Sequence, residues 1–479
     1  SKCIKDRINM FGGKLYLEFG GKLFDDFHAS RVLPGFQPDS KIRMLNELKD
    51  DAEVIIVISA DAIEKNKRRG DLGITYDLDC LRLIDAFRDF GLYVGSVCIT
   101  HFTDQPAAVI FQKRLENLGI KVYRHYIIKN YPNDLPLIVS EEGYGRNDFI
   151  KTDRSLVVVT APGPGSGKMA VCLSQLYHEH KNGVNAGYAK FETFPIWNLP
   201  LKHPVNVAYE AATADLADVN MIDPFHLEAY GKTTVNYNRD VEIFPVLNTI
   251  LEKISGKSVY KSPTDMGVNM AGNCITDDEI VREAAKEEII RRYYDAVCAV
   301  RKGLESSEVV ARIELLMNQL GISATDRKCV GPCLEKANAT NAPATAIELP
   351  DGKIITGKTS SLLGAASAML INALKTFAGI PDEIMLISPT FIEPIQHLKV
   401  DYMGNHNPRL HVSEVLIALT IAGVTNPTVK KAIDCLPMLR GLDMHSSVML
   451  SDVDIQTFKK LGIRVTCEPK TQTKKLYYK

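Results

Sequence analysis

Short apolar runs alternate with helical periodicity over the first two hundred residues. "KLYLEFG" (14–20), "AEVIIVISA" (52–60), "LYVGSVCIT" (92–100), "IKVYRHY" (120–126) and "SLVVVTA" (155–161) are apolar or β-branched, and each is of strand length. Between them, "YDLDCLRLIDAFRDFG" (76–91) and "QPAAVIFQKRLENLG" (105–119) place apolar residues at helical spacing and stop on glycine. Nearly continuous apolar strands separated by helices predict a parallel sheet covered on both faces, with ligands beyond its carboxyl edge.

The pattern then changes. "TDDEIVREAAKEEIIRRYYDAVCAVRKGL" opens with Thr276 and Glu279 at capping-box spacing, and a second helix is expected from Ser306 or Ser307 to Gly321. Beyond it, "TAIELPDGKIITG" predicts a hairpin turning at Pro350–Gly352, while "DEIMLIS" (382–388) and "IRVTCE" (463–468) predict further strands. "FKKLGIRVTCEP" repeats the helix-to-strand pattern of "LENLGIKVYRHY". The expected architecture is α/β: an open, mostly parallel sheet domain over 1–225 with a degenerate P-loop-like turn, a mainly helical domain over 226–330, and a C-terminal α/β domain over 331–479.

A chain of 479 residues exceeds the size of one core, which suits a multidomain reading. A net charge of -1 gives no general attraction for nucleic acid or an anionic membrane. No stretch reads as secretory or membrane-spanning; "TSSLLGAASAMLINAL" (359–374) is too short and too rich in hydroxyls. The ten cysteines are sparse, so they read as reduced thiols of a cytoplasmic protein. "CVGPC" (Cys329, Cys333) has neither redox nor zinc-knuckle spacing.

The strongest chemical signal is "VVVTAPGPGSGKMAVCLSQLYHE" (157–179), a strand, a glycine-rich loop and a helix. Gly163, Gly165 and Gly167 allow the backbone to turn amides inward, Ser166 adds a hydroxyl, and Lys168 adds a charge at a helix start. These residues are expected to wrap phosphate oxygens. The strict P-loop pattern is broken twice: Pro162 replaces its first glycine, and Met169 replaces the hydroxyl that would hold Mg²⁺. Mg²⁺, if used with ATP or another phosphorylated ligand, must then rest on carboxylates elsewhere.

This loop, together with "MFGGKLYLEFGGKLFDDFHASRVLPGF" (10–36) and "IEKNKRRGDLGITYD" (63–77), resembles a family of uncharacterised bacterial proteins along essentially the whole chain. The resemblance implies a cytoplasmic protein with α/β and helical parts. Some members have carried the label ATP-dependent zinc protease. In "HEHKN" (178–182), however, Asn182 stands where His-Glu-x-x-His needs its second histidine.

Other groups of residues suggest chemistry. Lys358, Thr359 and Ser360, in "ITGKTSSLLGAAS", are expected at a helix start that could receive a second anion. "IEKNKRRGD" gathers Lys65, Lys67, Arg68 and Arg69 before Asp71; this is either a solvated charge run or, since it follows a strand and could reach the carboxyl edge of the sheet, a group that recognises a phosphorylated ligand. In "HNPRLHVSE", His406, His411 and Glu414 are candidates for a polar or hydrolytic centre between the terminal domains. The leading functional expectation is a nucleotide- or phosphate-ligand-binding enzyme of phosphoryl-transfer type, with Lys168 balancing charge. The alternatives are a hydrolase using the His/Glu group, or a non-enzymatic oligomeric scaffold. A homo-oligomer is expected, with contacts around Trp197 and the small-residue helix after Lys358.

Overall fold

A computed structural model describes residues 1–69, 72–257 and 259–472. The chain divides into two compact units, Ser1–Ala285 and Lys286–Lys479. The expected helical stretch 226–330 is shared between them, and the helix Asp278–Arg301 runs through the point of division.

The five apolar runs all form strands: β1 (Leu15–Phe19), β2 (Ala52–Ser59), β3 (Tyr93–Phe102), β4 (Lys121–Tyr126) and β5 (Leu156–Thr160). With β6 (Gly187–Phe191) they make an all-parallel sheet in the order β4-β3-β2-β5-β1-β6. Alternate side chains of β2 explain why the run is apolar throughout. Ile56 and Ile58 pack under helices α1 (Tyr76–Asp89) and α2 (Pro106–Asn117). Ile55 and Val57 pack under α3 (Lys168–Lys181) and α4 (Asn238–Ser255) on the other face. The chain leaves β2 toward β3 but leaves β5 toward β6, in the opposite direction. The adjacent β2 and β5 therefore flank the point where the winding reverses, and a crevice opens there beyond their carboxyl ends. A small antiparallel pair, β7 (Asn220–Ile222) and β8 (Val235–Tyr237), completes this unit's strands among the described residues.

The helix expected at Thr276 starts at Asp278, and its cap is Asp277, whose carboxylate accepts from the amides of Glu279 and Ile280. The next helix, α5 (Ser307–Leu320), ends on Gly321 as the pattern predicts.

The C-terminal unit holds a mixed sheet in the order β10-β9-β11-β12, made of β9 (Ala344–Glu348), β10 (Ile354–Lys358), β11 (Asp443–Ser446) and β12 (Arg464–Cys467). β9 and β10 are the expected hairpin, and β12 is the expected last strand. The strand expected at 382–388 is absent. That segment turns instead, burying Leu386 and Ile387 in the core while Lys375 Nζ donates to the Asp382 carbonyl at 2.6 Å. All ten cysteines are free thiols, and burial pushes Cys329 and Cys333 up to about 12. Among the described residues no helix is long and apolar enough to cross a membrane.

Candidate functional site

The crevice at the winding reversal is a cavity of about 440 Å³. Three segments build it. Ser59 ends β2 and Asp61 follows in the short helix Ala60–Glu64, His101 stands near the end of β3, and Pro162, Pro164, Gly165 and Ser166 follow β5. Lys65, Lys67 and Tyr76 close the remaining side.

The glycine-rich loop adopts its shape through two left-handed residues, Gly165 at φ +74° and Gly167 at φ +88°. Ser166 lies between them, and its carbonyl accepts a 2.6 Å hydrogen bond from Thr100 Oγ1, which ties the loop to β3. The backbone amides of Gly165 and of Gly167 through Ala170 find no acceptor among the described residues, while Pro164 and Gly165 form a turn. Some of these are the ordinary orphan donors of a helix start, here that of α3. Ser166 is 4% exposed, lines the cavity, and its hydroxyl has no hydrogen-bond partner. Buried hydroxyls are normally satisfied, so this is the least satisfied point of the site.

Gly163 has a different role. A Cβ there would lie 2.2 Å from the Tyr76 hydroxyl, so only glycine lets the ring pack against the loop. Tyr76 in turn lies under Lys67, whose Nζ is 5.3 Å from the ring centroid. Lys65 and Lys67 are exposed, and neither forms an ion pair among the described residues. Of the same basic run, Arg69 faces inward, holding Asp25 at 2.8 Å and Asp79 at 3.0 Å. Arg82 completes that network through 2.7 Å and 3.1 Å contacts to the same two carboxylates. The loop carrying the two lysines is thus anchored from behind by buried charge. Asp71 lies outside the described residues.

His101 takes a left-handed backbone, φ +52°, which is unusual for a side chain of its size. Its carbonyl accepts from Gln105 Nε2 at 2.9 Å, and the same nitrogen lies 3.3 Å from Asp61 Oδ1. His101 Nδ1 is 3.3 Å from Ser59 Oγ. Lys168, by contrast, is half-buried in the first turn of α3 and is not among the residues lining the cavity. The cations facing the crevice come from a loop a hundred residues earlier in the chain.

The other sequence candidates fall elsewhere. Lys358 ends β10, and the helix expected at Thr359 begins only at Ala365, as α6 (Ala365–Ala378). The Thr359 amide donates to the Pro343 carbonyl and the Ser360 amide to the Leu363 carbonyl, so this turn satisfies itself. Ser360 Oγ accepts from Leu362 and Leu363. His411 caps helix α7 (Val412–Gly423), with Nδ1 3.0 Å from Asp454. That hydrogen bond raises the His411 pKa. Burial works against the Asp454 carboxylate, yet hydrogen bonds from His411 and the Val412 amide hold it below its ordinary value. Glu414 accepts from the His411 amide and from Lys399 Nζ, each at 2.7 Å, while His406 is exposed. The three residues lie within the C-terminal unit, and His411 and Glu414 are engaged in a helix cap. Among the described residues no group of three metal-ligating side chains could hold a metal ion. His178 instead meets the Asn147 carbonyl at 3.0 Å. The stretches expected to make subunit contacts pack within their own units. Trp197 Nε1 donates to the Asn269 carbonyl, and Ala365, Ala366 and Ser367 are buried.

Two family models together cover the chain almost end to end: domain of unknown function DUF1846, N-terminal, matches residues 1–321, and its C-terminal counterpart matches 325–477. The chain belongs to the DUF1846 family. Similar proteins include the UPF0371 proteins of Streptococcus pneumoniae strains JJA, CGSP14 and G54 (serotype 19F). Each is 58% identical over 476 residues, covering 99% of this chain and 96% of the relative. The cavity lies wholly within the stretch matched by the family's N-terminal model.

Proposed function

We propose that the N-terminal unit binds a phosphorylated ligand at the β2/β5 crevice and serves phosphoryl-transfer chemistry there. The observation that carries this reading is the glycine-rich loop on the cavity wall: Gly165 and Ser166 line it just before the N-terminus of α3, whose first amides find no acceptor, and the Ser166 hydroxyl is buried without a partner. A phosphate group supplies the missing acceptors, and the partial positive charge of the α3 N-terminus favours it. Lys65 and Lys67 add charge from the opposite wall. They take the role that the sequence pattern suggested for Lys168, because they face the cavity. The position also supports the reading, since ligands of open α/β sheets gather where the winding reverses.

Calorimetry with inorganic phosphate, ATP and GTP on the full chain tests this. Saturable binding of at least one, competed by inorganic phosphate, is expected. Absence of saturable heat with all three removes the reading.

A further inference from the structure

Taking the phosphate reading as its basis, we infer that the cavity receives a phosphate monoester dianion directly on protein donors, in preference to a nucleoside triphosphate bridged by a divalent cation. The donors converging there match a bare terminal phosphate. They are two lining ammonium groups, Lys65 and Lys67, and the lining loop residues Gly165 and Ser166 just before the N-terminus of α3, with the Ser166 hydroxyl buried beside them. Three phosphate oxygens carrying two negative charges would meet two cations without ion pairs, beside the glycine-rich loop at the start of α3. Charge is thus compensated without a metal bridge.

The acceptors needed for a cation bridge are scarce by comparison. Asp61 is the one carboxylate among the lining residues, and its Oδ1 is already within reach of the Gln105 amide at 3.3 Å. Met169 places a thioether where the loop of a triphosphate site carries a hydroxyl for the metal. The residue types at the rim favour an anion over a metal–anion complex.

Size points the same way. At about 440 Å³ the cavity sits toward the small end of ligand pockets. Part of its wall is apolar, formed by Ile58, Ala62 and Pro162. That leaves room beside one phosphate for a compact organic group of about one ring. Tyr76 is a positioning residue here: held against Gly163, its ring supports the Lys67 ammonium at the cavity rim.

Calorimetry on the full chain, with ribose 5-phosphate and ATP each titrated in EDTA and in excess Mg²⁺, tests the inference. Ribose 5-phosphate is expected to bind in EDTA, with less than a twofold change on adding Mg²⁺. The Lys65→Ala/Lys67→Ala double variant is expected to weaken it at least tenfold. Because both lysines are exposed and without ion pairs, circular dichroism of that variant should match the wild type. ATP binding that appears only with Mg²⁺, with no binding of ribose 5-phosphate, overturns the inference while leaving the broader phosphate reading intact. Ribose 5-phosphate binding that is indifferent to the double substitution also overturns it. Failure of both compounds and of inorganic phosphate ends the two readings together.

Discussion

Replacing Ser166 with alanine should move stability and binding in opposite directions. In the free protein the hydroxyl is buried and unpartnered, a condition that costs roughly 1–3 kcal/mol. Ser166→Ala removes that cost and forfeits a few tenths of a kcal/mol of dispersion contacts. The Thr100 bond is kept, because it goes to the Ser166 carbonyl. The free N-terminal unit should therefore gain about 1 kcal/mol. With phosphate bound, the same substitution deletes a hydrogen bond to a charged group, about 1.5–3 kcal/mol, weakening affinity roughly ten- to hundredfold. At phosphate equal to 100 times the wild-type Kd, ligand stabilisation should fall from about 2.7 kcal/mol to between about 1.4 and 0.4 kcal/mol. Urea unfolding with and without phosphate measures both effects. The single tryptophan, Trp197, lies in the N-terminal unit, so its fluorescence follows that unit specifically. A variant less stable than wild type in the absence of phosphate, or one stabilised by phosphate to the same extent, would refute the reasoning.

Two further outcomes follow from single residues. Burial holds His125 at about 4, so it stays neutral in the fold; its contribution is complete above the ordinary histidine value and is lost as pH falls from about 6.5 toward 4, on the order of 3 kcal/mol. His125→Gln keeps a donor for the Asp148 carbonyl, and urea midpoints read by Trp197 fluorescence between pH 4 and 7 should then fall less steeply toward acid. In the C-terminal unit, a Cβ on Gly357 would lie 2.1 Å from the Met369 backbone nitrogen, so Gly357→Ala should cost about 3 kcal/mol by pushing α6 off the sheet. Faster hydrogen exchange across residues 344–378 would show this, and unchanged protection would count against it.

The sequence revealed the parts of the N-terminal sheet more readily than their arrangement. β1, β2 and β5 announce themselves because strands buried on both faces need apolar residues at nearly every position, whereas the edge strand β4, "KVYRHY", shows mainly through its β-branched and aromatic residues. β6, "GYAKF", carries a glycine and a lysine and gives no such signal; its Gly187 is needed because the Phe11 ring occupies the Cβ position. That β5 inserts between β2 and β1 is a long-range fact, unreadable from local periodicity. The glycine loop was legible, and so was the basic run after β2 as a group able to reach the carboxyl edge of the sheet; which of its cations do so was not. Lys65 and Lys67 looked like members of one basic run, and only the fold separates them from the inward-facing Arg69. At 382–388 an apolar run satisfied its burial as a turn, because a lysine side chain could take up a carbonyl that a strand partner would otherwise need.

The place of β1 in the sheet has a consequence for how the chain is made. Its two neighbours are β5 and β6, and Leu15 meets its partner Leu156 only after about 140 further residues have been added. At ordinary translation speeds that is a wait on the order of ten seconds. During that time a strand buried at every position has no native partner on either edge, while β2, β3 and β4 can already pair. A nascent chain stopped short of β5 therefore exposes a sticky apolar segment near its start and has no anion cradle at all. Cells making this protein would meet their greatest aggregation hazard midway through the N-terminal unit, and the arrival of "LVVVT" is the event that ends it.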